Sequence, residues 1–374
     1  MQKDILRNEI LKISDYIIHH KELVEKDTSL IGGTTGIVLF YESAMKIHPE
    51  LEEYFYFFLH KTFDNIHLNE NYTYSDGLIG ILCYLNDLSS RDLIDLDENV
   101  IVEFNNIIQT LINQSAKEKD FELFTGLIGI GLYCLGNTKL QSYLLLILEQ
   151  IEEISFRDND GIYWKSRKDN EINFGHAHGN TSIIVFLILL FKNNIEKEKV
   201  KYLVEDSLKW ILSKRNHTGI FSFPCIASYP CIKTHVNSRL AWCYGDLMIA
   251  YTLCLAGIEF QNKEFLESGI DIARKLSKIE YKHSGVEDAM FCHGSSGVLF
   301  IFYKINKLHQ HSDFQKAINY WLEKTLINIK FDYKFVLSDG SNQSINILEG
   351  VAGIGLVLSS ICYDASDWDK YFLF

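Results

Sequence analysis

Proline is almost missing from this chain: 3 residues of 374, where average usage of ~5% would give about 19. Proline removes a helix N–H and clashes with the preceding turn. Its scarcity beside 47% apolar residues therefore predicts an all-α fold. A basic excess is also missing, since 36 Lys and Arg face 49 Asp and Glu for a net charge of −13. Phosphate binding needs a basic face, so a nucleic-acid binder is excluded. The longest apolar run, Ile183 to Phe191, is about half the ~18 residues of a membrane span. The charged N-terminal stretch has no apolar core of a signal peptide,. No transmembrane segment and a cytoplasmic location are expected, with thiols kept reduced. Eight cysteines in 374 residues are too sparse for a disulfide scaffold.

What the chain does have is a repeat. A small-residue Gly-x-x-Gly turn followed by an apolar run recurs seven times, with first glycines at Gly33, Gly77, Gly126, Gly179, Gly245, Gly294 and Gly350. The period, 44 to 66 residues, is that of a helical or propeller array. Between the turns lie charged amphipathic segments such as Thr138–Ile154, Ile195–Lys214 and Lys263–Ile279. Each unit reads as an amphipathic outer helix followed by an apolar, buried inner helix. Fourteen helices in two layers make an α/α toroid, a double seven-helix barrel. The terminal units are as apolar as the middle ones, so a closed ring is favoured over a capped solenoid. One domain over residues 1–374 is expected, with a rim loop at about 214–240 that carries Pro224 and Pro230. Glycine at each turn permits close backbone approach and unusual φ. The convergent helix N-termini also favour a developing anion.

Three units place His or Cys in the turn. Unit four begins Gly175-His176-Ala177-His178-Gly179, unit five Trp242-Cys243-Tyr244-Gly245, and unit six Cys292-His293-Gly294. Cys243, Cys292 and His293 form a Cys₂His set, the pattern of a catalytic zinc site with one open position. Buried thiols also read simply as small apolar packing groups. That packing reading is assigned to Cys83, Cys134, Cys254 and Cys362 inside helical runs, and to Cys225 and Cys231 in the rim loop.

The repeats, with AHG, WCYG and CHG in that order, resemble the lanthionine synthetase C-like family across essentially the whole chain. The resemblance implies an α/α toroid that binds one Zn²⁺. It implies a peptide cyclase that adds cysteine thiols to dehydroalanine or dehydrobutyrine, closing thioether rings. It makes Cys243, Cys292 and His293 the metal ligands. His178 matches the family's acid/base histidine, Arg239 the arginine upstream of the first ligand, and Tyr244 the tyrosine after it. The family's aspartate before the third turn corresponds to Glu122 here, with Asp120 a poorer alternative. Ser182 and Met248 depart from the family's small residues, and His176 stands where the family is apolar; a pocket-lining or structural role is expected for it. The implied partners are a dehydrated precursor peptide, a separate dehydratase and an exporter, in a biosynthetic complex peripheral to the inner face of the membrane. With the first repeat at Gly32, no fused dehydratase is expected. The alternative is a zinc protein that binds glutathione or peptide thiols, as a scaffold or to add glutathione to dehydroamino acids. A glycoside hydrolase would need two pocket carboxylates where these turns offer His and Cys.

Overall fold

The computed structural model describes residues 2–165, 171–228, 238–335 and 345–374. These residues pack as two compact units, one formed by residues 1–81 with 277–374 and the other by residues 82–276. The helices in chain order are α1 (Gln2–His19), α2 (Thr34–Ala44), α3 (Glu52–Asn65), α4 (Leu78–Ser90), α5 (Glu98–Asn105), α6 (Ile108–Glu118), α7 (Leu127–Leu135) and α8 (Gln141–Glu153). They continue as α9 (Asn180–Lys192), α10 (Lys197–Ser213), α11 (Asp246–Glu259), α12 (Lys263–Leu276), α13 (Ser295–Leu308), α14 (Ser312–Phe335) and α15 (Val351–Tyr363). Among the described residues no helix is long and apolar enough to cross a membrane.

The seven inner helices are α2, α4, α7, α9, α11, α13 and α15, and each begins one residue after a turn glycine of the repeat. The glycine is needed there because the backbone folds back on itself. A Cβ on Gly33, Gly77, Gly126, Gly179 or Gly245 would overlap the carbonyl oxygen six residues earlier, on Asp27, Asn71, Asp120, Asn173 and Arg239 in turn. Unusual φ explains less than expected. Gly33, Gly126, Gly179, Gly294 and Gly350 are extended, and only Gly245 among the turn glycines has positive φ, at 102°.

The residue six before the glycine builds the turn. In five repeats it is Asp or Asn, whose side-chain oxygen accepts the N–H two residues on. The pairs are Asp27 with Ser29 at 2.9 Å, Asn71 with Thr73 at 3.0 Å, Asp120 with Glu122 at 3.0 Å, Asn173 with Gly175 at 2.7 Å and Asp288 with Met290 at 2.8 Å. This is an Asx turn, which presets the chain reversal. Neighbouring turns are then laced by backbone bonds. In the first unit Ile31 donates to Ser75 at 3.1 Å, Ile347 to Ile31 at 3.3 Å and Cys292 to Leu348 at 2.9 Å. In the second unit His176 donates to Cys243 at 2.9 Å.

The outer helices bury one stripe. In α12 that stripe is Phe265, Gly269, Ile272, Ala273 and Leu276, the i, i+4, i+7 spacing of one helical face. Two expectations change. Fifteen helices stand among the described residues instead of fourteen, because the outer helix ahead of α7 is broken between α5 and α6 at Asn106 and Ile107. The closest pairs also run inner then outer: α2 packs on α3, α9 on α10, α11 on α12 and α13 on α14. That leaves α15 without a following outer helix, and α1 takes the place.

Strands interrupt the helices around unit four. β1 (Phe156–Asp158) and β2 (Gly161–Tyr163) form a hairpin, and β3 (Glu171–Asn173) pairs antiparallel with β4 (Ile226–Ser228). The expected rim loop is therefore partly strand. Its residues 229–237, with Pro230 and Cys231, lie outside the described residues. The part before β4 is fixed to α11: the Asp246 carboxylate accepts the backbone N–H of Ser222 and, at 3.0 Å, that of Phe223. Burial pushes that carboxyl up to about 6, against the pull of the two N–H donors,.

Behind the Cys292 turn sits an aromatic wedge in the first unit. Phe291 contacts Trp368 at 5.2 Å and Phe372 at 5.3 Å between ring centroids, in edge-to-face geometry. Trp368 is fully buried and donates its indole N–H to Ser360 Oγ at 2.8 Å.

Candidate active site and metal centre

The second unit holds five of the seven sequence-selected residues. β3 leads into the unit-four turn, and its last residue, Asn173, builds that turn. His178 projects from the turn and shares a hydrogen bond with Glu122, Nδ1 to Oε2 at 2.9 Å. Both side chains are about one-third exposed, 37% and 35%, so a substrate has access to them. The Glu122 bond holds the His178 pKa above the ordinary histidine value, against the opposing effect of burial,. Phe124 stands edge-on to His178 at 5.5 Å, and the Tyr244 ring lies 6.3 Å away. Asp120 is engaged otherwise. Its Oδ2 accepts from Thr125 Oγ1 at 2.8 Å while its Oδ1 takes the Asx-turn N–H. Glu122, one residue past that turn's midpoint, is the carboxylate that reaches His178.

Cys243 is tied to the same place. Its carbonyl accepts from His176 N at 2.9 Å and Ala177 N at 3.3 Å, so the backbone of unit four is fastened to that of unit five. His176 is fully buried and stands edge-on to Trp242 at 5.5 Å, a structural position. Tyr244 OH accepts from Asn173 Nδ2 at 3.3 Å, and burial raises its phenol pKa.

Arg239 occupies the slot that Asp or Asn fills in five other repeats. A guanidinium cannot accept an N–H, so this repeat forgoes the Asx turn. Arg239 instead donates Nη2 to Cys243 Sγ at 3.6 Å. A cation beside sulfur favours the thiolate, the form that binds metal.

In the first unit Cys292, His293 and Glu349 bring their ligand atoms within 4.8 Å of one another, each half-buried. Asn346 Oδ1 accepts the N–H groups of Leu348 at 2.9 Å and Glu349 at 2.6 Å, which fixes the start of the unit-seven turn. Asp288 Oδ2 lies 3.1 Å from His293 Nε2. A thiol, an imidazole and a carboxylate converging on one point form a donor set suited to zinc. The remaining cysteines divide as packing predicts for Cys134, Cys254 and Cys362, which are buried. Burial pushes the Cys254 thiol up to about 12. Cys83 and Cys225 are half-buried, and Cys225 Sγ faces Ser238 Oγ at 3.8 Å.

Glu349 and Asp288 are the residues that reading the sequence for His and Cys passed over. A signal for Glu349 existed. The residue just before the first turn glycine is His178, Tyr244, His293 and Glu349 in units four to seven. That column selects Glu349 together with three residues already chosen on chemistry.

Known proteins resemble this chain in sequence and in fold. The family model described as lanthionine synthetase C-like protein matches residues 24–373. The nisin biosynthesis protein NisC of Lactococcus lactis subsp. lactis is 24% identical over 267 residues, which are 65% of this chain and 61% of that protein. The alignment thus spans less than two-thirds of that relative's length. Among solved structures, a nisin cyclase superposes with a TM-score of 0.77 at 19% identity, covering 99% of this chain and 98% of that one. The fold is the all-α, α/α-toroid class that the repeats predict.

Proposed function

The chain belongs to the lanthionine synthetase C-like family, and from that premise we propose that it is a zinc-dependent peptide cyclase. Its substrate class is a dehydrated precursor peptide, whose cysteine thiols it adds to dehydroalanine or dehydrobutyrine. The observation that carries this reading is the hydrogen-bonded pair His178 and Glu122 on a turn whose backbone is fastened to that of Cys243. It sets a proton carrier beside a thiol that an arginine favours as thiolate.

Cys243, Cys292 and His293 would hold the zinc, and bound zinc supplies a thiophilic position at which a peptide cysteine is deprotonated at neutral pH. The sulfur then bonds to Cβ of the dehydro residue, and the carbon–carbon π pair moves onto the adjacent amide as an enolate. Arg239 donates to that oxygen, where charge develops. His178 carries the proton that arrives at Cα, and Glu122 fixes its ring orientation through Nδ1. Tyr244, placed by Asn173, borders the same histidine. The cytoplasm, with its reduced thiols, is the fitting compartment, and a separate dehydratase would supply the dehydrated peptide.

The test is incubation with a dehydrated precursor peptide, followed by thiol alkylation and mass analysis. Loss of alkylatable thiols at unchanged peptide mass is the expected result. Peptide thiols that stay free while the peptide gains the mass of glutathione, when glutathione is supplied, would favour the glutathione reading.

Glu122→Gln gives a narrower check. An amide keeps the length but loses the charge that holds His178 protonated, so the imidazolium should lose its proton at a lower pH than in the parent. The linkage sign is that of a raised histidine: the stabilisation is full below the unfolded-state value and fades as pH rises through the folded one. Following the His178 ring resonances against pH reads the midpoint directly. An unmoved midpoint would disconnect the two residues.

A further inference from the structure

We propose that Asp288 is the positioning residue that fixes the His293 ring for metal binding, by taking its Nε2–H and leaving Nδ1 as the ligand atom. The inference rests on the reading of His293 as a zinc ligand.

The argument comes from the repeat. The slot six residues before the turn glycine requires only one acceptor, and Asn71 and Asn173 satisfy it as well as Asp27 and Asp120 do. Asp288 meets that requirement with Oδ1, which accepts Met290 N at 2.8 Å. Its second oxygen, Oδ2, is not needed for the turn and lies 3.1 Å from His293 Nε2. At the equivalent slot of unit three, Asp120 turns its Oδ2 to Thr125. In unit six the residue facing that oxygen is His293.

The aspartate is itself immobilised. Its carbonyl accepts from Ser295 N at 2.9 Å and from Asn328 Nδ2 at 3.2 Å. Asn328 also donates to Tyr281 OH at 3.1 Å, and Tyr281 N donates to Tyr320 OH at 2.8 Å. Bonds from the α14 side chains thus hold the Asp288 backbone, and from that fixed backbone the carboxylate reaches Met290 N and the imidazole. Acceptor geometry at Nε2 selects the tautomer with its proton there, so the lone pair sits on Nδ1. Outer carboxylates of this kind typically contribute about 10–100-fold to metal affinity.

The repeat supplies the test variant. Asp288→Asn keeps an Oδ1 for the turn, as Asn71 and Asn173 do, but replaces Oδ2 by an amide that donates. Facing Nε2, it would favour the opposite tautomer, with Nδ1 protonated and unable to ligate. The zinc dissociation constant, measured by competition with a chromophoric chelator, should rise about 10–100-fold. The metal-free urea midpoint should stay near that of the parent. Asp120→Asn, at the same slot of another repeat, should bind zinc normally. In the metal-free parent, ¹⁵N resonances should report His293 with its proton on Nε2.

Parent-like zinc affinity in Asp288→Asn, or a proton on Nδ1 in the parent, overturns the inference. A parent chain that takes up no stoichiometric zinc overturns the metal reading of the site, and this inference with it.

Discussion

Cys292→Ala is expected to leave a folded chain that holds no stoichiometric zinc and closes thioether rings at least ~10²–10³-fold more slowly. Two losses coincide. The thiolate is one of the three ligands proposed above, and the alanine takes the sulfur from the cluster it forms with His293 and Glu349. A metal used as a Lewis acid stabilises developing charge by several kcal/mol, and each 1.36 kcal/mol is tenfold in rate. The backbone has no reason to move, since Cys292 N donates to Leu348 O whatever the side chain. Metal content by elemental analysis and ring closure by mass spectrometry should therefore fall together while circular dichroism stays constant. Full zinc occupancy with normal cyclisation would remove Cys292 from the site.

Trp368→Ala carries the largest expected stability loss, about 3–5 kcal/mol. The indole is fully buried. It packs against Phe291, Phe300 and Phe372 at centroid distances of 5.2, 4.7 and 5.7 Å, and its removal also takes away the N–H that Ser360 Oγ accepts, leaving that hydroxyl only its bond to Leu356 O at 2.9 Å. The neighbouring rings cannot all collapse into the space, because each already has an edge-to-face or tilted partner. Urea unfolding followed by circular dichroism measures the loss. The same variant should bind zinc more weakly, since Phe291 directly precedes Cys292 and would lose its wall. A shift below about 1 kcal/mol would mean the wedge relaxes freely.

The sequence reached far into this fold where the chemistry is local. Glycine is the only residue that fits under a carbonyl at the turns, so the repeat frame located the start of every inner helix. The outer helices were legible as amphipathic stripes. Their partners were not, because pairing α15 with α1 depends on the whole chain. The break between α5 and α6 was hidden in an unbroken apolar pattern, Phe104 to Ile112. The strands β1 to β4 are three residues each, too short to show a period of two. At the site, rare residue types made His178, Cys243, Cys292 and His293 visible. Glu349 and Asp288 stayed invisible because carboxylates are common, and only their place in the repeat separates them from the other 47.

The pairing of α1 with α15 sets the order of assembly. Every other inner–outer pair named above joins neighbours in sequence and closes a short loop. This pair joins a helix ending at residue 19 to one beginning at residue 351. Loop-closure entropy grows only logarithmically with length, but formation of such distant contacts is slow. On the ribosome, α1 emerges long before α15 and must keep Leu6, Ile10, Ile13 and Ile17, all buried in the folded protein, in contact with solvent or a chaperone until α15 has been made. The interval of exposure for that apolar stripe is therefore the time taken to synthesise the residues between α1 and α15.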